Sequence, residues 1–401
     1  MTSSTALARD LAPRAAVPAH APAPCSPSPR GLVLTAQEYS HAHAIAQWDA
    51  LAAQAVEPNP FFESWYLLPS QRALDPRGQV RLFVLEQGGQ WLGMVPVTAS
   101  RKYYGRPIPN LSSWLHPNCF HGAPLVRAGH EAAFFRALFH WADLATKTAL
   151  FLHLGHMPLD GPVHQAMLDV AASEQRKTAL VFSEDRVVLR TELSSQDYAR
   201  TALTGRKAKD FRRQRRNLSA QGNLAAESLT GTEGLDEWIA EFMALEAAGW
   251  KGAAGSALAC HDYTAVLFHQ AMQGAAARGQ LERWALTLNG RRIAMLSVLL
   301  SGQGAFAYKT AFDEGHATNS PGALLHVDYL ATLDRPTRAW TDSCANVSHP
   351  MIPHIWRETR GVGRYSIAIG GPLRRLAFAQ LARMEQGKLE QARNPDGATT
   401  A

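Results

Sequence analysis

Cysteine is scarce in this chain, and long hydrophobic runs are absent from it. The four cysteines among 401 residues, Cys25, Cys119, Cys260 and Cys344, lie far apart and form no C-x-x-C pair. This spacing argues against a disulfide framework and predicts free thiols in a cytoplasmic protein. No apolar run reaches the roughly 18 residues that a membrane helix needs, so we expect no membrane span.

The first 30 residues have few bulky apolar side chains. They consist mainly of Ala, Pro and Ser and lack the apolar core of a secretory signal. We predict a disordered tail over residues 1–30 and a second tail over 390–401. The whole chain is 46% hydrophobic and 18% charged, which is typical of a globular protein. Its length fits two domains, which we place at 31–193 and 194–389.

Positive charge is concentrated in one short segment. Residues 205–216 read G-R-K-A-K-D-F-R-R-Q-R-R, and their seven Lys or Arg and one Asp account for the net charge of +6 of the whole chain. At helical spacing four cations share one side: Lys209, Arg212, Arg213 and Arg216. This helix could be a solvated face, a clamp for an anionic cofactor or substrate, or a nucleic-acid surface. Because the rest of the chain is neutral, we do not expect nucleic acid as a partner.

Three strand-like runs in the second half give the clearest structural signal. Two of them flank Asn289-Gly290, a dipeptide that accepts positive φ at both positions and favours a tight type I′ hairpin. The third, Ala305 to Phe312, contains Tyr308 and Lys309. Side chains at adjacent strand positions face opposite sides of a sheet, so we expect only one of this pair in any cleft.

A helix start follows the third run after a polar loop. Ser320 can cap this helix, Pro321 suits its first turn, and Gly322 lets a ligand approach the backbone. A bare helix N-terminus attracts anions, so this element predicts a phosphate site. Each half of the chain also contains helices, an antiparallel hairpin, a crossover helix and a further strand, which indicates an α/β (α+β) fold.

The order of these pieces resembles a known family. The pieces are K-A-K-D-F-R-R-Q-R-R, L-E-A-A-G-W-K-G-A-A-G-S-A-L, L-T-L-N-G-R-R-I-A, A-Y-K-T-A-F-D and N-S-P-G-A-L-L, all within residues 203–342. The segment is similar to GNAT-superfamily acyltransferases of the CelD-like type, which are related to the FemAB aminoacyltransferases. The resemblance implies two tandem GNAT-like domains, each a mostly antiparallel mixed sheet flanked by helices. It also implies N-acyl transfer from acyl-CoA to an amine of a small molecule, a sugar or an envelope precursor.

The resemblance and the local chemistry together select residues for the two substrates. For the phosphates of acyl-CoA we select Asn319, Ser320, Pro321, Gly322, Arg212 and Arg213. For the acceptor we select Trp250, Lys251 and Tyr308, since a lysine in a glycine-containing loop can hold an anionic group. Family members often carry a Tyr-Lys pair where this chain has Pro353-His354, so the proton donor to the leaving thiolate is not identified.

Direct transfer from a thioester requires a base that deprotonates the amine. Asp342 ends the strand R-A-W-T-D, where a sheet edge meets a cleft, and is the first choice. Glu246, five residues before Lys251, is the second. The grouping of Asp342, Cys344, His349 and His354 fits no zinc spacing, and we expect no metal.

Two other functions remain open from the sequence. One is a non-catalytic protein on a degenerate GNAT fold that binds an anionic surface through residues 205–216. The other is a transferase that uses aminoacyl-tRNA. The sequence leaves the identity of the amine acceptor and the oligomeric state open.

Overall fold

A computed structural model describes residues 28–335 and 338–393, with side chains as far as Glu385. Most of the two predicted tails therefore lies outside the described residues. The first half contains β1 (Arg30–Leu34), α1 (Ala36–Tyr39), α2 (Ala42–Ala52), α3 (Ser64–Leu74), β2 (Arg81–Gln87), β3 (Gln90–Ser100), β4 (Asn110–Ser113), β5 (Leu125–Val126), α4 (Glu131–Ala145), β6 (Phe151–Pro158), α5 (Gly161–Ser173) and β7 (Thr178–Leu189).

The second half follows a similar order of elements, but two helices precede its first strand and no α-helix separates its last two strands within the described residues. It contains α6 (Ser195–Ala202), α7 (Gly205–Ser219), β8 (Leu224–Leu229), α8 (Leu235–Ala248), α9 (Trp250–Ala253), α10 (Asp262–Ala277), β9 (Leu281–Leu288), β10 (Arg291–Ser301), β11 (Gly304–Phe312), α11 (Pro321–Asp328), β12 (Trp340–Asn346), β13 (Glu358–Ala368) and α12 (Pro372–Arg393). The predicted α/β class and mixed sheets are confirmed.

The strands of both halves form one 13-stranded sheet. Its order is β1-β2-β3-β4-β6-β13-β7-β12-β11-β10-β9-β8, with β5 beside β3. The last strand of each half lies next to a strand of the other half, because β13 pairs with β6 and β7 pairs with β12. This exchange joins the halves, and the domain boundary near residue 193 stays a prediction.

A shared hydrophobic core reinforces this connection. Phe61 and Tyr66 of the first half pack against Phe306 and Tyr308 of β11, with ring centroids 5.6 to 5.9 Å apart. All four side chains are buried, so separating the halves would expose a large aromatic surface to water. None of the described helices has both the length and the apolar composition needed to cross a membrane.

The sequence predicts the hairpin of the second half correctly, and two other elements differ from what their sequence patterns indicate. The hairpin between β9 and β10 turns at Asn289 and Gly290 with φ of 52° and 79°, as predicted. The helical pattern of residues 195–220 predicts a single helix, but the structure has two, α6 and α7. The break falls before Gly205, which has a φ of 62°. The helical pattern of the neighbouring residues gives no sign of this left-handed conformation. The sequence predicts a strand at residues 365–369, and in the structure this strand begins earlier, at Glu358, where β13 pairs with β7.

A parallel strand pair in each half determines where a cleft can open. In the second half β11 and β12 pair over only three positions, ending at Phe306 and Asp342. Beyond that point the two strands diverge, while β11 remains bonded to β10. The backbone of β11 from Ala307 onward is therefore free on one edge.

Candidate active site

A cavity of about 550 Å³ lies where β11 and β12 diverge. Its walls come from α7, α9, β11, the start of α11, β12 and the segment 349–354. Phe120, from the loop between β4 and β5, adds a side chain of the first half. The cavity thus combines the free edge of β11 with a helix N-terminus.

The start of α11 opens into this cavity. Pro321 occupies the first helical turn, as predicted, and Gly322 and Ala323 line the cavity. Backbone N–H groups in a first helical turn have no acceptor within their own helix, so they can bind an anion here.

Ser320 does not cap this helix as expected. It adopts left-handed angles, φ 47° and ψ 54°, and its side chain makes no capping bond. Its hydroxyl instead accepts a hydrogen bond from Gln214 of α7 at 3.1 Å, which ties the two helices together. Ser320 lines the cavity, while Asn319 is buried behind it and accepts a hydrogen bond from Asn217.

One face of the basic helix α7 lines the cavity, and most of its Lys and Arg side chains lie on the solvent-exposed face. The residues on the cavity wall are Lys207, Asp210, Phe211 and Gln214. Phe211 and the buried Leu218 pack against a second hydrophobic cluster, which is formed by side chains of β9, β10, β11 and α11. This packing sets the rotation of the helix. Arg212 and Arg213 consequently point outward and are exposed, so neither lines the cavity.

Lys251 connects the cavity wall to a buried carboxylate. Its Nζ donates to Glu246 Oε1 at 2.8 Å and to the carbonyl oxygen of Thr310 on β11 at 3.1 Å. Glu246 Oε2 accepts from the backbone N–H of Leu258 at 2.8 Å, so both carboxylate oxygens are in use. Trp250, beside Lys251, also lines the cavity and is 59% exposed. Glu246 therefore lies just behind the wall that Lys251 and Trp250 form.

Asp342 lies at the divergence point but faces away from the cavity. Its Oδ1 accepts from the backbone N–H of Cys344 at 2.7 Å, and its Oδ2 is 3.6 Å from Nη1 of Arg186. Both Asp342 and Arg186 are buried. Cys344 itself lines the cavity with a φ of 55°, a left-handed conformation that bends β12 away from β11. In this geometry Asp342 fixes the backbone at the end of β12 through Cys344 and balances the charge of Arg186.

Tyr308 and Lys309 both line the cavity, which corrects the expectation that only one of them could. The register of β11 against β10 shifts between Ser297 and Val298, which face Lys309 and Ala307. Tyr308 is the extra residue of this bulge, and a bulge cancels the usual alternation of faces. Both side chains consequently pack against the ring of Phe120.

Lys309 is held by residues from both halves of the chain. Its Nζ donates to Asn118 Oδ1 at 2.7 Å and lies 5.5 and 5.6 Å from the ring centroids of Phe120 and Tyr308. The Tyr308 hydroxyl is 3.1 Å from that of Tyr66, which donates to the carbonyl oxygen of Asn118. The loop around Asn118 therefore positions the ammonium group.

Burial favours the neutral forms of His326, His349 and Cys344 on the cavity wall. It lowers the pKa of His326 to about 3 and, together with the nearby Lys251, lowers the pKa of His349. Burial and the Asp342 carboxylate raise the pKa of the Cys344 thiol well above its usual range. His349 Nδ1 faces the backbone N–H groups of Met351 and Ile352 at 3.3 and 3.4 Å, so its neutral form carries the proton on Nε2.

Asp210 and Lys309 are among the cavity residues that the sequence reasoning did not select. Asp210 is the acidic member of the run K-A-K-D-F-R-R, and this isolated position was the available signal. Lys309 was noticed, but the alternation of strand faces assigned the cleft to Tyr308 instead. Within residues 28–335 and 338–393, no group of three or more His, Cys, Asp or Glu side chains could hold a metal ion.

Comparisons with known proteins agree with this geometry. Residues 205–338 match the acetyltransferase (GNAT) domain family. The structure of FemX aligns with 86% of this chain and 99% of its own at a TM-score of 0.54 and 11% identity. A conserved protein of unknown function from Bacteroides thetaiotaomicron aligns with 81% of this chain and 97% of its own, with a TM-score of 0.51 and 13% identity. No curated protein matches the sequence.

The family match covers the whole segment from α7 to the residues just before β12, which includes the free edge of β11 and the start of α11. Alignments at such low identity establish the fold of the chain and nothing more. Residues 205–338 therefore match the acetyltransferase (GNAT) domain family, and the chain has a fold like that of FemX.

Proposed function

We propose that this protein transfers an acyl group from acyl-CoA to an amine of a small molecule, a sugar or an envelope precursor. The observation that carries the proposal is the divergence of β11 from β12 beside the uncapped start of α11. One end of the cavity can hold a pyrophosphate, and the free strand edge can hydrogen-bond an extended amide-containing chain. Both are features of a CoA thioester, and they occur along one continuous cavity.

The phosphate end of the site would lie between α11 and α7. The N–H groups of Gly322 and Ala323 supply donors, and Lys207 supplies a cation on the same wall. The thioester would then lie toward the divergence point, near Cys344. There the free backbone of β11 and the Nε2–H of His349 can stabilise negative charge on the carbonyl oxygen.

The amine must lose a proton before it attacks the thioester. Glu246 is favoured over Asp342, because its partner Lys251 lines the cavity, whereas Arg186, the partner of Asp342, does not. Asp210 also lies on the wall, but it is one turn from Gln214 and thus beside the phosphate end. We assign Glu246 to proton removal through an intervening water, because it lies just behind the wall, and to holding Lys251, which would bind an anionic group of the acceptor.

Aminoacyl-tRNA is the alternative donor, and one observation favours it. The outer face of α7 exposes Arg206, Lys209, Arg212, Arg213 and Arg216, which a small CoA molecule does not need. An exposed basic face of this kind suits a larger polyanion. Salt-sensitive tRNA binding with no turnover of acyl-CoA would favour this donor.

Release of free thiol from a set of acyl-CoA molecules of increasing chain length tests the proposed function. The assay combines each thioester with a mixture of amino sugars, amino acids and polyamines. We expect release that depends on the amine and forms one amide per thiol. If no acyl-CoA is consumed above the buffer rate with any amine, the proposal is wrong.

Charge reversals on α7 separate its two faces. We expect Lys207→Glu to weaken CoA binding about tenfold, which corresponds to about 1.4 kcal/mol. The double variant Arg212→Glu/Arg213→Glu should change CoA affinity by less than about threefold and lose most of that effect at higher ionic strength, because exposed charges are screened. Its unfolding free energy should change by less than about 1 kcal/mol.

Titration calorimetry with CoA at two salt concentrations measures both effects. A larger loss in the double variant than in Lys207→Glu would place the phosphates against Arg212 and Arg213, as the sequence suggested.

A further inference from the structure

The proposed function assigns no role to Lys309. This residue projects from β11 just beyond the divergence point and lines the same cavity as Cys344. Its position is fixed by the hydrogen bond to Asn118 and by the rings of Phe120 and Tyr308. One hydrogen bond and two aromatic rings hold this ammonium group in a fixed position beside a free strand edge, which indicates a functional role.

The charge of Lys309 has no carboxylate partner. Among the described residues, no Asp or Glu oxygen forms an ion pair within 4.0 Å of Lys309, whereas Lys251 is 2.8 Å from Glu246. Asn118 supplies only a neutral oxygen. A desolvated ammonium without a counter-ion is stabilised when negative charge develops nearby, or when it gives up its proton.

The other groups around this ammonium are poor proton donors. The hydroxyls of Tyr308 and Tyr66 interact with each other, and burial raises the pKa of both. Burial raises the pKa of the Cys119 thiol to about 12, and the pKa of the Cys344 thiol is raised as well. Burial lowers the pKa of His116 to about 3, so its ring is neutral.

We infer that Lys309 is the catalytic acid that donates a proton to the departing thiolate. The inference rests on the proposed acyl-CoA donor. The amine nitrogen bonds to the carbonyl carbon and loses its proton to Glu246, and the carbon–sulfur bond breaks with its electron pair on sulfur. Nζ of Lys309 then donates a proton to sulfur, giving neutral thiol and a neutral amine that solvent reprotonates.

The acidity of Lys309 suits this step. Burial, followed by repulsion from Lys251, lowers its pKa to about 8, although Glu246 and the Cys344 sulfur act in the opposite direction. An alkyl thiol such as that of cysteine has a pKa of about 8.5. A donor whose pKa is close to that of the leaving group and to the working pH transfers its proton most effectively.

Leaving-group chemistry separates this role from a structural one. Lys309→Met removes the proton, and Lys309→Arg keeps the charge on a group that does not release a proton near neutral pH. With acetyl-CoA we expect both variants to lose about 10²-fold in kcat/KM. With an acetyl thioester of a nitro-substituted aryl thiol, whose thiolate leaves without protonation, the loss should be less than about threefold.

The alkaline limb of the acetyl-CoA pH profile, expected near pH 8, should disappear in both variants. Lys147→Met, on the exposed loop after α4, serves as the control for loss of a surface lysine. Equal losses with both thioesters, or full rescue by Lys309→Arg, would overturn the inference. If the wild-type protein consumes neither thioester, the proposed function fails as well. Normal turnover by Lys309→Met would overturn only the role of Lys309.

Discussion

Replacement of Gly322 by Glu will abolish CoA binding while the protein remains folded. Gly322 is buried at the start of α11, and a Cβ atom there would lie 3.4 Å from Cδ1 of Phe312, an ordinary contact. The remaining atoms of a glutamate side chain would extend into the cavity and place a carboxylate where the pyrophosphate binds. Repulsion and lost space should together remove measurable affinity.

Thermal unfolding with and without CoA measures this effect. CoA at about 100 times its Kd should stabilise the wild-type protein by about 2.7 kcal/mol, and the Gly322→Glu variant by nothing detectable. Gly322→Ala is the matched control, because its methyl group fits and adds no charge; it should keep most of the CoA-dependent shift. A folded Gly322→Glu protein that still binds CoA would show that the phosphates lie elsewhere.

Removal of the negative charge from Glu246 should reduce turnover by about 10²-fold. Gln preserves the shape of the side chain but leaves the Lys251 ammonium without its counter-charge and removes the proton acceptor. CoA affinity should change little, because Glu246 does not line the cavity that would hold the cofactor.

Asp342→Asn is expected to behave differently from Glu246→Gln. It leaves the buried Arg186 with only Glu184 at 3.6 Å, so the main effect should be a loss of stability of about 3 kcal/mol. Activity per folded molecule should stay close to that of the wild type. Urea unfolding and steady-state kinetics on the same samples separate the two effects. Normal turnover in Glu246→Gln and a large loss in folded Asp342→Asn would identify Asp342 as the base.

Elements whose conformation depends on residues adjacent in sequence could be predicted from the sequence. The turn at Asn289-Gly290 and the helix start at Pro321 follow from backbone preferences of single residues. The fold class followed from the order of such elements. These signals, together with the family resemblance, placed Ser320, Gly322, Trp250 and Lys251 in the sequence prediction, and all four line the cavity.

Features that depend on distant contacts could not be predicted in this way. The rotation of α7, which turns Arg212 away from the cavity and places Lys207 on its wall, depends on how Phe211 and Leu218 pack. The bulge at Tyr308, which brings Lys309 into the cavity, is a property of the pairing between β10 and β11. The exchange of β7 and β13 between the halves is likewise not encoded in any short pattern.

Hydrogen exchange with and without CoA tests the location of the donor site most directly. The account predicts slower exchange of backbone amides in residues 307–312 of β11 and 322–325 of α11 when CoA is added, because the ligand would cover a free strand edge and an open helix start. Amides of β4 and β6, the corresponding pair in the first half, should be unaffected. Protection confined to β4 and β6, or none in β11 and α11 at saturating CoA, would contradict the account.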